Sequence, residues 1–121
     1  MKRFWLGLRR RWSGLPHPAD GALHFDDAGF RRAPPDGFAA AWNEVVRISG
    51  WRSDLWSPDE VRIQVDLAGG DVVVFGEESP GFPALMVAFE QRFPPVAGWF
   101  ERIALPADDG HRTLTLYERG G

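Results

Sequence analysis

Between residues 60 and 67 apolar and polar positions alternate strictly, Val61, Ile63, Val65 and Leu67 against Glu60, Arg62, Gln64 and Asp66. That is the period of a strand with one buried and one wet face. Ala68-Gly69-Gly70-Asp71 turns the chain back into Val72-Val73-Val74-Phe75, β-branched and bounded by Gly76, which completes an antiparallel hairpin. Upstream, Leu23-His24-Phe25 and Phe30-Arg31-Arg32 flank Asp26-Asp27-Ala28-Gly29, whose aspartates and glycine suit a tight hairpin loop. Ala33-Pro34-Pro35-Asp36-Gly37 is a second turn signal, leading into strands over 38–42 and 45–51 with a kink at Asn43-Glu44 between them.

At Ser79-Pro80 the period changes. A capping hydroxyl followed by a proline predicts a helix start, and Phe82, Leu85, Met86, Phe89 and Phe93 then recur at spacings of three and four. Pro94-Pro95 stops this helix; Val96, Trp99, Phe100 and Ile103 repeat the pattern in a shorter one, closed by Leu105-Pro106. Asp108-Asp109-Gly110 turns into a last strand over 113–118, which adds most economically to an edge of the sheet. The class expected is α+β: a bent antiparallel sheet packed by an amphipathic helix, with a second short helix and a C-terminal strand, in one domain over residues 20–118.

Residues 1–15 stand apart from that domain. On a helical projection Phe4, Trp5, Leu8, Trp12 and Leu15 share one face, while Lys2, Arg3, Arg9 and Arg10 fall on the others. With Arg11 the segment carries +5 and no acid, whereas residues 16–121 set 9 cations against 17 acids, or −8. One reading is a basic amphipathic helix on an anionic membrane, contacting it through Phe4, Trp5, Leu8, Arg9, Arg10, Arg11 and Trp12. The other is a helix packed on its own domain or a frayed terminus, since Gly7 and Gly14 each weaken helix by about 1 kcal/mol. An acidic body is a poor partner for nucleic acid. Cysteine is absent, so disulfides, thiolate metal sites and cysteine nucleophiles are excluded. The apolar stretch Phe4–Leu8 is too short for a signal-peptide core and is followed by Arg9, Arg10 and Arg11, the reverse of the usual order of charge and then apolar residues, and no run reaches the roughly 20 apolar residues of a membrane span. A cytoplasmic location is the expectation.

Candidate chemistry is sparse. His17, His24 and His111 lie in separate segments without metal-ligand spacing, and neither a nucleophile elbow nor a phosphate-binding loop is present. Paired carboxylates occur at Asp54 with Asp59 and at Glu77 with Glu78, in loops where acids are commonly solvated surface. No metal, cofactor or catalytic residue is expected. The segment from Trp51 to Asp59 instead concentrates the residue types of interface hot spots: Trp51, Arg52 and Trp56, with Asp54 and Asp59 beside them, read as a loop between two strands. Against a partner-binding role stands closure of a small barrel's open end by Trp51 and Trp56. Glu77, Glu78, Asp108 and Asp109 would add an acidic rim suited to a basic partner.

The phrases Trp42-Asn43-Glu44-Val45-Val46-Arg47-Ile48 and Phe25-Asp26-Asp27-Ala28-Gly29-Phe30, set in this order of strands and helix, resemble the pleckstrin-homology-like (PH-like) barrels, and more closely small uncharacterised bacterial proteins of that kind. The resemblance covers about residues 20–95. It implies a partly open barrel in which the tryptophan segment enters a central strand, Asp54 ends it, and Gly76-Glu77-Glu78 precedes the helix. This chain departs from it by continuing through a second helix and a final strand. Phosphoinositide-binding members place basic residues around the first hairpin; here Arg31 and Arg32 share that hairpin with Asp26 and Asp27. Fold alone does not carry function. The expectation is a noncatalytic domain that binds an unknown protein partner, one version being a toxin-neutralising immunity protein; the alternatives are a peripheral membrane module attached through residues 1–15 and a small enzyme using loop carboxylates.

Overall fold

The computed structural model describes residues 21–53, 60–103 and 113–120. Seven strands form within them: β1 (Leu23–Phe25), β2 (Gly29–Arg32), β3 (Phe38–Ala41), β4 (Val45–Ser53), β5 (Glu60–Leu67), β6 (Val72–Gly76) and β7 (Leu114–Glu118). They divide into two antiparallel sheets, β1-β2-β3 and β6-β5-β4-β7, and no pairing among the described residues joins the two into a closed barrel. The kink expected at Asn43-Glu44 is a 3-10 turn over Trp42–Glu44, which carries the chain from the first sheet to the second.

Local chemistry explains the first hairpin. The Asp26 side chain accepts hydrogen bonds from the Ala28 and Gly29 amides at 2.9 and 3.1 Å, closing the turn on itself. Gly29 is required on the partner side, because a Cβ there would overlap the Ala40 carbonyl oxygen of β3. On β5 the alternation in sequence is the alternation in space: Val61, Ile63, Val65 and Leu67 are buried, and the polar residues between them lie half-exposed. The last strand joins β4 at the sheet's edge, pairing Arg47 with Glu118 and Ile48 with Tyr117.

Helix α1 (Phe82–Arg92) buries Phe82, Leu85, Met86 and Phe89, with Phe93 just beyond its end. Phe30 of the first sheet, Phe75 of the second and Phe89 of α1 meet in one cluster, with ring centroids 5.2 Å (Phe30–Phe89), 6.0 Å (Phe75–Phe89) and 6.4 Å (Phe30–Phe75) apart. This aromatic hub is what holds the two sheets and the helix together. Trp42 packs against it and donates its indole N–H to the Asp26 carbonyl at 2.8 Å, so its polar atom is satisfied as the ring is buried.

Two helical expectations are corrected. Helix α1 starts at Phe82 rather than at Pro80, with Gly81 at φ +89° as its N-cap and no side-chain cap. The reason is tertiary: the Pro80 carbonyl accepts the Leu23 N–H of β1 at 2.7 Å, so this stretch is tied to the sheet before the helix begins. In the second helical segment Val96 belongs to a 3-10 turn over Pro94–Val96, and only Trp99–Ile103 forms a helix, α2. There Ile103 is buried against β4 while Phe100, expected on the packed face, stays 44% exposed.

Candidate functional site

Strand β4 runs through Ser53, so Trp51 and Arg52 stand on the sheet rather than in the loop expected for residues 51–59. Both β4 and β5 remain paired there: Trp51 opposes Arg62, Arg52 opposes Val61 and Ser53 opposes Glu60. Strand alternation then separates the two candidate residues. Trp51 shares the outer face with Arg62, whereas Arg52 opposes the fully buried Val61 on the inner side. Asp54, Trp56 and Asp59, the acids Asp108 and Asp109, and the membrane-contact candidates Phe4, Trp5, Leu8, Arg9, Arg10, Arg11 and Trp12 lie outside the described residues.

Trp51 differs from the other described tryptophans. Trp42 and Trp99 sit in ring contacts with the hub or with Phe82 and Phe100. Trp51 is half-buried on the wet face of the sheet, and among the described residues it stacks on no ring.

Beside it, three glutamates and an arginine form a charged group at the same end of the sheet. Glu77 folds back along the ladder, its Oε1 accepting the Val61 N–H at 2.8 Å while its own N–H donates to the Val61 carbonyl at 3.2 Å. Arg62 lies 3.6 Å from Glu60 and 3.4 Å from Glu78. Gly76 leaves the space over which the Glu60 and Glu78 carboxyl groups approach each other. With only a tenth of its side chain exposed, Glu60 has an Oε2 that receives no hydrogen bond while both groups are ionised. A proton between Glu60 and Glu78 would satisfy it. That hydrogen bond first, then burial and the Glu78 charge, raise Glu60 above the usual carboxylate range. Burial pushes Glu78 the same way, but the bond from Glu60, backbone hydrogen bonding and the flanking Arg62 and Arg32 prevail and hold it low.

A second concave feature was not legible in the sequence. A groove of about 510 Å³ runs between β6 and the turn into β3, lined by Arg32, Pro35, Asp36, Phe38, Val72 and Val74 among others. Arg32 spans its floor: Nε donates to the Asp36 carbonyl and a terminal nitrogen to the Val74 carbonyl, both at 2.8 Å, with the guanidinium 5.1 Å from the Phe38 ring centroid. Burial lowers the pKa of this arginine, against Asp36 and Glu78, which favour its charge. Its neighbour Arg31 pairs with Asp26 at 3.4 Å. The two arginines of the first hairpin are therefore committed to separate local partners.

Among the described residues no three His, Asp or Glu side chains converge as metal ligands, and no helix is long and apolar enough to cross a membrane. No family model, curated protein or solved structure matches the chain.

Proposed function

We propose that this chain is a noncatalytic, PH-like domain that binds a protein partner in the cytoplasm, and that the contact surface is the end of the four-stranded sheet around Trp51 and Arg62. The observation that supports this reading is the placement of Trp51: a large aromatic on the wet face of β4, opposite an arginine, without the ring partners that explain the other described tryptophans. Tryptophan and arginine dominate the energetics of protein interfaces when a partner desolvates them. Glu60, Glu77 and Glu78 at the same end give the surface an acidic border that steers a basic partner toward it. Occlusion of a basic toxin surface by an immunity protein is the specific form that fits a small acidic domain.

The test is affinity capture from the native host, with the full chain as bait. A stoichiometric partner should be retained by wild type and by Gln91→Ala, a change on the exposed side of α1, and lost with Trp51→Ala. Retention of the same partner by Trp51→Ala overturns the assignment of the surface. For the immunity form, the partner is a toxic protein encoded beside this chain, and co-expression restores growth.

A further inference from the structure

The hydrogen bonds around β6 fix which way its backbone points. The Asp71 carbonyl and the Glu77 N–H bond to β5, through the Leu67 N–H and the Val61 carbonyl, while the Val74 carbonyl turns away to Arg32. Alternation along the strand therefore directs the N–H and C=O groups of Val72 and Val74 to the side opposite β5. Strand β6 is the edge of its sheet; among the described residues the Val74 carbonyl on that side is taken by the Arg32 guanidinium and the Gly76 carbonyl, beyond the groove, by the Ser79 N–H, which leaves the Val72 groups and the Val74 N–H facing the groove. The groove is thus walled by an open strand edge of consecutive valines, and Val72 is 52% exposed. Proteins ordinarily blunt such an edge with lysine, proline or a bulge. None of these stands in Val72–Gly76.

Arg32 is the charged residue of the groove's lining that faces this edge. It is a partly buried cation whose hydrogen bonds go to two neutral carbonyls, and among the described residues no carboxylate lies within ion-pairing distance of it. Carboxylates are the natural complement of a guanidinium, and hydrogen bonds to an ionised group are the stronger kind. We propose that this groove receives an extended segment of a partner protein, which adds as a strand to the open edge of β6 and places one carboxylate on Arg32. The body's acidic balance sets the rest of that segment's chemistry: one acid among β-branched and neutral residues, since an acid-rich peptide would be repelled. A second copy of the chain is the poorer occupant, because symmetric β6–β6 pairing would bring two Arg32 guanidinium groups together.

This inference rests on the reading that the domain binds protein, but on a different surface from Trp51. The probe is a displayed library of random dodecapeptides selected on the full chain. Enriched peptides should share a single Asp or Glu within an apolar, β-branched run. Their binding should weaken at least tenfold on Arg32→Gln and should survive Trp51→Ala. Because Arg32 also ties the turn to β6, Val72→Pro serves as a second variant: it opens the strand, its N–H faces the groove, and proline is tolerated at such a position. That variant, folded by circular dichroism, should lose the peptides as well. Enrichment of peptides without an acid, binding unchanged in both variants, no enrichment at all, or self-association through β6 would each overturn the groove proposal. None of those results touches the partner captured through Trp51, so the two readings fail separately.

Discussion

At the residue scale, Gly81 shows how one position decides an element's start. Its backbone is left-handed at φ +89°, and a Cβ would overlap the Leu23 carbonyl oxygen of β1. The conformation alone costs an L-residue about 1–2 kcal/mol, and the overlap adds to it. Gly81→Ala should therefore lower stability by more than about 2 kcal/mol, read as a fall in the urea midpoint; an unchanged midpoint would contradict this account of the helix start. Glu60 makes a prediction of opposite sign. A carboxyl whose pKa is raised on folding contributes most where it is protonated, and that contribution is lost as pH rises through the folded value. Above that folded value the ionised form is the one the fold disfavours. Glu60→Gln keeps a donor for Glu78 without the charge, so it should raise the thermal midpoint at pH 7 and have little effect near pH 4, close to the ordinary glutamate value. A variant less stable than wild type at pH 7 would remove the shared-proton picture. Asp26 runs the other way, since the Ala28 and Gly29 amides hold its pKa low: its stabilisation is present above the ordinary aspartate range and is lost as pH falls through the lowered value.

At the scale of elements, α1 and β5 carry the packing, and Phe89 is where both sheets meet the helix. Removing a buried phenylalanine costs about 3–5 kcal/mol, so Phe89→Ala should leave little folded protein at 37 °C, as judged by near-ultraviolet circular dichroism. An unchanged melting profile would refute the hub. These elements were legible in the sequence because burial writes its period directly: two on β5, three and four on α1. The first hairpin was legible from Asp26 and Gly29 for the same local reason. The helix start was not, because Ser79-Pro80 has the right local chemistry and a bond from Leu23, far away in the chain, overrides it. Nor was the division into two sheets, which depends on which strand edges meet. Of the candidate site, residue type singled out Trp51 and Arg52, but their separation onto opposite faces follows only once β4 is known to continue through Ser53. The groove was hidden because Arg32 and Val74, whose hydrogen bond builds it, lie on hairpins distant in sequence.

At the scale of the molecule, two antiparallel sheets and a helix close around one aromatic core, and the outer face of β6-β5-β4-β7 carries the polar residues of β4 and β5. That face is cross-braced by charge: Arg47 lies 3.3 Å from Asp66, Gln64 donates to Asp66 at 2.9 Å, and Arg62 lies between Glu60 and Glu78. Trp51 interrupts this polar lattice at one end, and the functional reading depends on what meets it. The most direct measurement places a photo-crosslinking phenylalanine derivative at position 51 of the full chain, and in a second sample at position 91 on α1, and illuminates both in living host cells. The account predicts one discrete protein adduct from position 51 and none of that mass from position 91. Position 51 yielding no adduct, or the same adducts as position 91, would contradict it.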